Sequence, residues 1–225
     1  MSTAPTLRVE HEAFETGATL VAGMDEVGRG AWAGPVSVGV VLVDASCGEQ
    51  PSRVRDSKAI ARSVREALIP ALQAWALETA VGHASHTECD LLGMRAAIAL
   101  ASSRALAALT AAPDVVICDG PLDLLEANSM LLADLVRDHQ WRQRPPKVIS
   151  VVKGDQHCAS VAAASIVAKV TRDAIMADLG PSFPAFDFES NVGYPSQVHQ
   201  RALRGYGLTP YHRRSWSYVD DLVWR

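Results

Sequence analysis

Short apolar runs rich in β-branched residues alternate with longer helical segments, and this alternation constrains the fold more than any other feature of the chain. Strands are predicted at residues 19–24, 36–43, 80–85, 114–118 and 147–152. Helices are predicted at residues 57–77, 87–109, 129–139, 159–179 and 195–206. We expect Ser57 to cap the first of these helices, and Thr87 with Asp90 to form a capping box at the second. The alternation predicts the α/β class, with a mixed sheet flanked by helices.

The composition indicates a globular chain that can bury a sizeable core. Hydrophobic residues make up 48% of the chain and charged residues 20%. No run reaches the roughly 18 apolar residues that a membrane span requires, and residues 1–10 lack the pattern of a secretory signal. We therefore expect a cytoplasmic protein without a membrane partner, with one domain at residues 18–225 after a flexible N-terminus at residues 1–17. The cysteines form no C-x-x-C pair and are expected to be buried thiols: Cys47, Cys89, Cys118 and Cys158.

The charge distribution is uneven along the chain. A net charge of −4 and a pI near 6.0 argue against a nucleic-acid partner, because phosphate binding usually requires a basic surface. Residues 190–219, however, contain no Asp or Glu. This segment is predicted to face phosphate groups through its basic residues, namely Arg201, Arg204, Arg213 and Arg214, with His199 and His212 in addition.

Carboxylates follow three of the predicted strands: the pair Asp25 and Glu26, then Asp119, then Asp155. Polar residues at strand ends are where open α/β sheets bind ligands, so these side chains are candidates to converge. Crowded carboxylates repel one another unless they share protons or cations, and oxygen donors suit Mg²⁺ or Mn²⁺ better than zinc. Two such ions about 4 Å apart would support phosphodiester hydrolysis. The alternative is that each residue belongs to an ordinary turn.

The string Asp25-Glu26-Val27-Gly28-Arg29-Gly30 resembles the signature of the ribonuclease HII family. Further matches occur in the family's order: DSK at 56–58, DG at 119–120, VKGD at 152–155, AASIVAKVTRD at 163–173, GYP at 193–195 and HRRS at 212–215. Together they extend from about residue 20 to residue 216.

The resemblance implies a ribonuclease H-like catalytic domain with a small C-terminal helical extension at about residues 180–225. It also implies that Asp25, Glu26, Asp119 and Asp155 are catalytic and bind divalent Mn²⁺ or Mg²⁺. By the family pattern Asp25 bridges two metals, Glu26 and Asp119 lie nearer the leaving group, and Asp155 holds the metal beside the attacking water. The implied enzyme is a monomeric endoribonuclease that cuts the RNA strand of RNA/DNA hybrids and nicks duplex DNA at embedded ribonucleotides. Its products carry 5′-phosphate and 3′-hydroxyl ends, and the sequence identifies no protein partner.

Substrate choice requires a sensor for the 2′-hydroxyl, which distinguishes RNA from DNA. Gly28 and Gly30 flank Arg29, and the absence of side chains at both positions lets the backbone approach a sugar. In the family this turn contacts the ribose hydroxyl. The family's tyrosine corresponds to Tyr194 and stacks on the adjacent deoxyribose; the alternative is a half-buried packing tyrosine.

Several basic residues in the matching motifs are candidate phosphate contacts, with solvated surface as the alternative: Lys58, Lys153, Arg213 and Arg214. Asp173 is expected to pair with Lys169, four residues earlier on the same helix. The five tryptophans are expected to be packing residues.

The chain departs from the family pattern in three places. Between Asp119 and Asp155 lie 35 residues, more than the pattern has, so residues 122–146 are expected to contain an extra element. Ala59-Ile60-Ala61 stands where Lys, Leu and Ser are favoured, and Trp216 stands where Phe is usual.

Two other functions are open to a chain of this kind. A resolvase-type or integrase-like nuclease would share the carboxylates but lack the turn that senses the 2′-hydroxyl. A non-catalytic nucleic-acid-binding module would have lost at least one of the metal carboxylates. Gly28-Arg29-Gly30 and all four carboxylates are present, which favours the ribonuclease.

Overall fold

A five-stranded mixed sheet forms the centre of the computed structural model, which describes residues 4–120 and 144–222. The sheet has the order β3-β2-β1-β4-β5. Strands β1 to β3 are antiparallel neighbours, whereas β4 pairs in parallel with both β1 and β5. Their bounds are Leu20–Val27 for β1, Val36–Asp44 for β2, Glu78–Ala84 for β3, Val115–Asp119 for β4 and Lys147–Val151 for β5. The predicted α/β class with a mixed sheet is confirmed.

Helices cover both faces of this sheet. The α-helices of the described residues are Arg8–Glu15 (α1), Arg62–Trp75 (α2), His86–Leu92 (α3), Met94–Ala107 (α4), Gly154–His157 (α5), Ala159–Leu179 (α6), Phe188–Asn191 (α7) and Gln197–Tyr206 (α8). Successive side chains of a strand point to opposite faces, and β1 shows this directly. Met24 packs with α4 in one core cluster, whereas Val21 packs with α1, α2 and α6 in the other. No helix within the described ranges is long and apolar enough to span a membrane.

Helix α6 lies unusually close to the two central strands because glycine stands at the contact points. A Cβ atom on Gly23 of β1 would overlap the backbone of Ser160, and one on Gly39 of β2 would overlap the carbonyl oxygen of Ala164. The alanine-rich first half of α6 completes the contact, since residues 159–168 are all buried. The sheet and this helix therefore form one closely packed layer pair.

The C-terminal extension is built around an aromatic cluster. After α6 the chain forms 3₁₀ turns at Gly180–Ser182 and Pro184–Phe186, then α7, α8 and a last 3₁₀ turn at Ser217–Asp221. Phe186 and Phe188 are buried here, and Trp32 stacks on Tyr218 with ring centroids 4.2 Å apart. Because Trp32 comes from the connection between β1 and β2, this cluster attaches the extension to the sheet.

The expectation of a flexible segment at residues 1–17 does not hold for its middle part. Residues 8–15 form α1, which packs on the core through Val9 and Ala13. The buried carboxylate of Glu10 accepts hydrogen bonds from the amide and the hydroxyl of Ser160, at 2.9 and 2.6 Å. This long-range contact ties α1 to the start of α6.

Two predicted helix starts were wrong. Ser57 opens a 3₁₀ turn, Ser57–Ala59, which the Asp56 carboxylate caps, and α2 begins only at Arg62. The capping box of α3 consists of Ser85 and Glu88, not of Thr87 and Asp90.

Other sequence expectations have mixed outcomes. Gly93, with φ +76°, separates α3 from α4, where one continuous helix was predicted. Cys89, Cys118 and Cys158 are buried as expected, whereas Cys47 is partly exposed. The predicted helix at 129–139 lies outside the described residues, as does most of the predicted extra element at 122–146.

The close contact between α6 and the sheet yields a stability prediction. Gly39→Ala should lower the free energy of unfolding by about 1–3 kcal/mol, because its methyl group would overlap the Ala164 carbonyl. Gly205→Ala is a matched control, since a Cβ on Gly205 would meet no atom within 4 Å, and alanine in α8 should stabilise by up to about 1 kcal/mol. Denaturant unfolding of both variants measures the difference. Equal stability of Gly39→Ala and the parent protein would contradict this account of the packing.

Candidate active site

The predicted carboxylates emerge at one edge of the sheet. Strands β1 and β4 are parallel neighbours whose pairing ends with Met24 opposite Cys118, so the next residue of each strand, Asp25 and Asp119, lies at the same edge of the sheet. Asp155 lies in α5, directly after β5. The backbone N–H of Gly154 donates to Oδ1 of Asp119 at 2.8 Å, which joins the ends of β4 and β5.

Burial and mutual repulsion perturb this group of carboxylates. The pKa of Asp25 is raised well above its usual range, first by burial and then by the charges of Glu26 and Asp155. Burial, together with the neighbouring charge of Asp119, also raises the pKa of Glu26, although Arg29 opposes the shift. The pKa of Asp155 is raised to about 6 by burial and by nearby carboxylates, among them Asp119. Each of the four carboxylates therefore lies close enough to at least one other for their charges to interact.

Three further residues belong to this edge, and of these only Lys58 was predicted to have a role, as a phosphate contact. Asp56 is hydrogen-bonded to Asp155 and contributes to its raised pKa. Ser165 of α6 hydrogen-bonds to Asp25 and lowers its pKa, and its Oγ lies 2.7 Å from that of Ser57. Lys58 places a positive charge near Asp25 and Asp155. The only available signal was that the DSK and AASIVAK strings contain these residues.

The donor set suits a hard divalent cation, because every candidate donor is a carboxylate oxygen and the crowded negative charge favours a counter-ion. The side chains as they stand are held by hydrogen bonds of their own, such as the one from the Glu26 amide to Asp25 Oδ1 at 2.9 Å. Among residues 4–120 and 144–222, no group of three or more His, Cys, Asp or Glu side chains is arranged to hold a metal ion.

The glycine-flanked turn follows directly after β1. Gly28 has φ +86°, and a Cβ there would overlap the side chain of Arg172. A Cβ on Gly30 would have Tyr194 Cε1 as its nearest neighbour, at 3.8 Å. The turn and the partly exposed Tyr194 ring therefore border the same space, next to the carboxylate edge. The Arg29 side chain is exposed and lies 3.8 Å from the carboxylate of Glu26.

Two buried arginines hold the backbone around this turn. Arg172 of α6 donates to the carbonyl oxygens of Pro35, Val192 and Ala33, at 2.8, 2.9 and 3.2 Å. Its guanidinium carbon also lies 5.6 Å from the centre of the Tyr194 ring. One side chain thus connects the segment after the turn with the segment before Tyr194, a role that the sequence did not reveal.

Arg213 corrects a sequence prediction. It was expected to face phosphate, but it is fully buried and donates to the carbonyl oxygens of Gly34 and Arg29, at 3.1 and 3.0 Å. His199 and His212 are also fully buried, so they add nothing to the predicted basic surface. The exposed cations of residues 190–219 are Arg201, Arg204 and Arg214.

The other lysines that the sequence singled out are either exposed or paired. Lys58 and Lys153 are exposed, and Lys153 adopts a left-handed conformation, φ 56°, immediately before α5. The predicted pair of Lys169 with Asp173 is confirmed, with Nζ to Oδ1 at 2.7 Å, and Arg65 joins it at 3.5 Å from Oδ2.

Comparison with known proteins identifies the family. The family model for ribonuclease HII matches residues 22–219. Ribonuclease HII of Streptomyces avermitilis is 47% identical, with 98% of this chain and 88% of the relative covered. Ribonuclease HII of Paracoccus denitrificans is 42% identical, with coverage of 97% and 95%.

Solved structures agree with this result. The ribonuclease H2 of Pyrococcus horikoshii superposes with a TM-score of 0.67 at 28% identity, covering 90% of this chain and 96% of that one. The ribonuclease HII in a complex with PCNA from Archaeoglobus fulgidus gives a TM-score of 0.67 at 25% identity, with coverage of 91% and 97%. The chain belongs to the ribonuclease HII family of metal-dependent endonucleases.

Proposed function

We propose that this enzyme hydrolyses the RNA strand of RNA/DNA hybrids and nicks duplex DNA at embedded ribonucleotides, leaving 5′-phosphate and 3′-hydroxyl ends. The observation that carries the proposal is the position of the Gly28-Arg29-Gly30 turn. It begins two residues after Glu26, and Gly30 faces the ring of Tyr194. The turn and the tyrosine that we propose to contact the sugar therefore lie beside the carboxylates, which are suited to phosphodiester hydrolysis.

Asp25, Glu26, Asp119 and Asp155 would hold two divalent cations, Mn²⁺ or Mg²⁺. When bound, such cations supply positive charge that activates a water molecule and stabilises the leaving oxygen. By the family correspondence Asp25 would serve both ions, Glu26 and Asp119 would help hold the ion that stabilises the leaving oxygen, and Asp155 would help hold the ion that activates the water. The burial of Asp25 supports its assignment to both ions. A charged carboxylate that is shielded from water is unfavourable by itself, so a neighbouring cation stabilises it strongly.

The chain itself supplies the selection for a ribonucleotide. Because Gly28 and Gly30 have no side chains, the amides and carbonyls of the turn can approach a 2′-hydroxyl, which both donates and accepts hydrogen bonds. The Tyr194 ring would stack on the deoxyribose at the next position. Lys58, Lys153 and Arg214 are exposed and are proposed as phosphate contacts, whereas Arg213 acts from the interior on the backbone of the turn.

Replacement of the central carboxylate tests the catalytic assignment. Asp25→Asn should lower cleavage by several orders of magnitude, because a neutral amide cannot hold the cations. Glu49→Gln is the matched control, since it removes one negative charge from an exposed loop beyond the opposite end of β1 and β2. Cleavage rates and far-ultraviolet circular dichroism of both variants give the answer. Near-normal turnover by Asp25→Asn would refute the assignment.

Metal binding can be measured without catalysis. Addition of Mn²⁺ or Mg²⁺ should raise the melting temperature of the parent protein, since a ligand at 100 times its Kd stabilises by about 2.7 kcal/mol. The shift should persist in Glu49→Gln and be strongly reduced in Asp155→Asn. Equal shifts in all three proteins would place the binding site elsewhere.

The role of Tyr194 concerns substrate choice. Tyr194→Ala should impair cutting at a single ribonucleotide in duplex DNA more than cutting of a long RNA/DNA hybrid, because only the former always presents an RNA-to-DNA step. Tyr194→Phe is the control and should remain close to the parent, since it keeps the ring. Unchanged rates on the single ribonucleotide would count against this role.

One assay tests the proposed function as a whole. Duplex DNA with one embedded ribonucleotide, a matched duplex of DNA alone and an RNA/DNA hybrid are incubated with the protein under each metal and with a chelator. Sequencing gels should place a metal-dependent nick beside the ribonucleotide and none in DNA alone. Cutting of the all-DNA duplex would instead favour a resolvase-type nuclease.

A further inference from the structure

Two histidines in the C-terminal extension form a buried pair that catalysis does not require. His199 of α8 and His212 are fully buried, and their Nε2 atoms lie 2.8 Å apart. Burial lowers the pKa of both rings, that of His212 to about 3. Both rings are therefore neutral near pH 7, and each carries one proton.

The hydrogen bonds fix the position of each proton. The backbone N–H of Thr209 donates to Nδ1 of His212 at 2.9 Å, so the proton of His212 is on Nε2. That proton is donated to Nε2 of His199, whose own proton must then be on Nδ1. From there His199 donates to the carbonyl oxygen of Tyr194 at 2.8 Å. A continuous chain of hydrogen bonds therefore leads from Thr209 to the backbone of Tyr194.

The proposed sugar-binding site has two parts, Tyr194 and the glycine turn at residues 28–30. Arg213, the residue after His212, holds the second part. Arg213 donates to the carbonyl oxygen of Arg29 at 3.0 Å, and its amide donates to the carbonyl of Trp32 at 2.8 Å. Residues 209–213 thus contact both parts of the site. The histidine pair connects them to Tyr194, and Arg213 connects them to the glycine turn. Both halves of the site depend on one short segment.

A purely structural pair would be expected to be apolar here. The histidines lie among Phe186 and Phe188, with ring centroids 5.3 to 6.0 Å away. Burying polar rings in such surroundings costs free energy unless every polar atom is paired. In this chain of hydrogen bonds each ring nitrogen has a partner, and the last acceptor is the residue proposed to read the sugar.

We propose that His199 is a positioning residue whose donor fixes Tyr194 opposite the glycine turn and so sets the preference for an embedded ribonucleotide. His212 acts by keeping the proton of His199 on the nitrogen that faces Tyr194, a selection that an amide side chain at position 199 does not need. The inference rests on the proposed function, because it assigns a task to Tyr194. It predicts that loss of the His199 contact weakens cutting at a single ribonucleotide more than cutting of a long hybrid.

Two amide substitutions separate positioning from packing. In His199→Asn the side-chain nitrogen stands as many bonds from Cα as Nδ1 does, so the donor to Tyr194 is kept and the link to His212 is lost. His199→Gln does the reverse, because its amide reaches the place of Nε2. For His199→Gln we expect kcat/KM to fall about five- to tenfold more on the single ribonucleotide than on the hybrid, and His199→Asn should stay near the parent. Melting temperatures of both variants report any general loss of stability.

A double-mutant cycle with Tyr194→Ala completes the test. If His199 acts through Tyr194, adding His199→Gln to Tyr194→Ala should not reduce the substrate preference further. Additive losses, or equal losses on both substrates, would overturn the proposal and leave the proposed function intact. If the parent protein fails to nick at a single ribonucleotide, or Tyr194→Ala has no effect, the assignment of Tyr194 fails first and this inference falls with it.

Discussion

The close approach of α6 to the sheet determines the position of almost every functional group described above. Glycines at 23 and 39 allow the helix to touch the backbone of β1 and β2, and successive turns of α6 then carry Ser165 to Asp25 and Arg172 to the glycine turn. One turn further along, Met176 packs in the aromatic cluster of the extension. Because protein interiors are close-packed, a shift of this helix would move the carboxylate edge, the turn and the extension together.

Much of the fold could be predicted because strand and helix periodicity are local properties. The five predicted strands and the long helix at 159–179 correspond to β1 to β5 and α6. The helix starts were less predictable, since several polar residues near each start could act as the cap. The Ser85 cap was missed because Thr87 with Asp90 offers the same spacing as Ser85 with Glu88, and Asp90 instead accepts hydrogen bonds from Arg214 and Ser215.

The candidate site, like the fold, could be predicted only in part. The carboxylates could be predicted as a group because each lies near the end of a strand or shortly after it, and the parallel pairing of β1 with β4 brings two of them to one edge. The sequence could not show that Arg213 points inward while Arg214 stays exposed, because adjacent identical residues differ only in their tertiary surroundings. The histidine chain was equally hidden, since it depends on contacts between α8 and a loop 13 residues away.

The charge distribution explains how an acidic chain can approach a polyanion. Burial lowers the pKa of Lys58, but the surrounding carboxylates, Asp25 first among them, outweigh that effect and raise it, so this lysine stays charged beside them. Arg172 and Arg213 add two buried positive charges near the turn, and they donate to carbonyl oxygens. Since carbonyls carry no net charge, these bonds leave the positive potential largely in place. The net charge of −4 is therefore spread unevenly, and these cations are the positive charges that a phosphate group near the turn would meet beside the carboxylates.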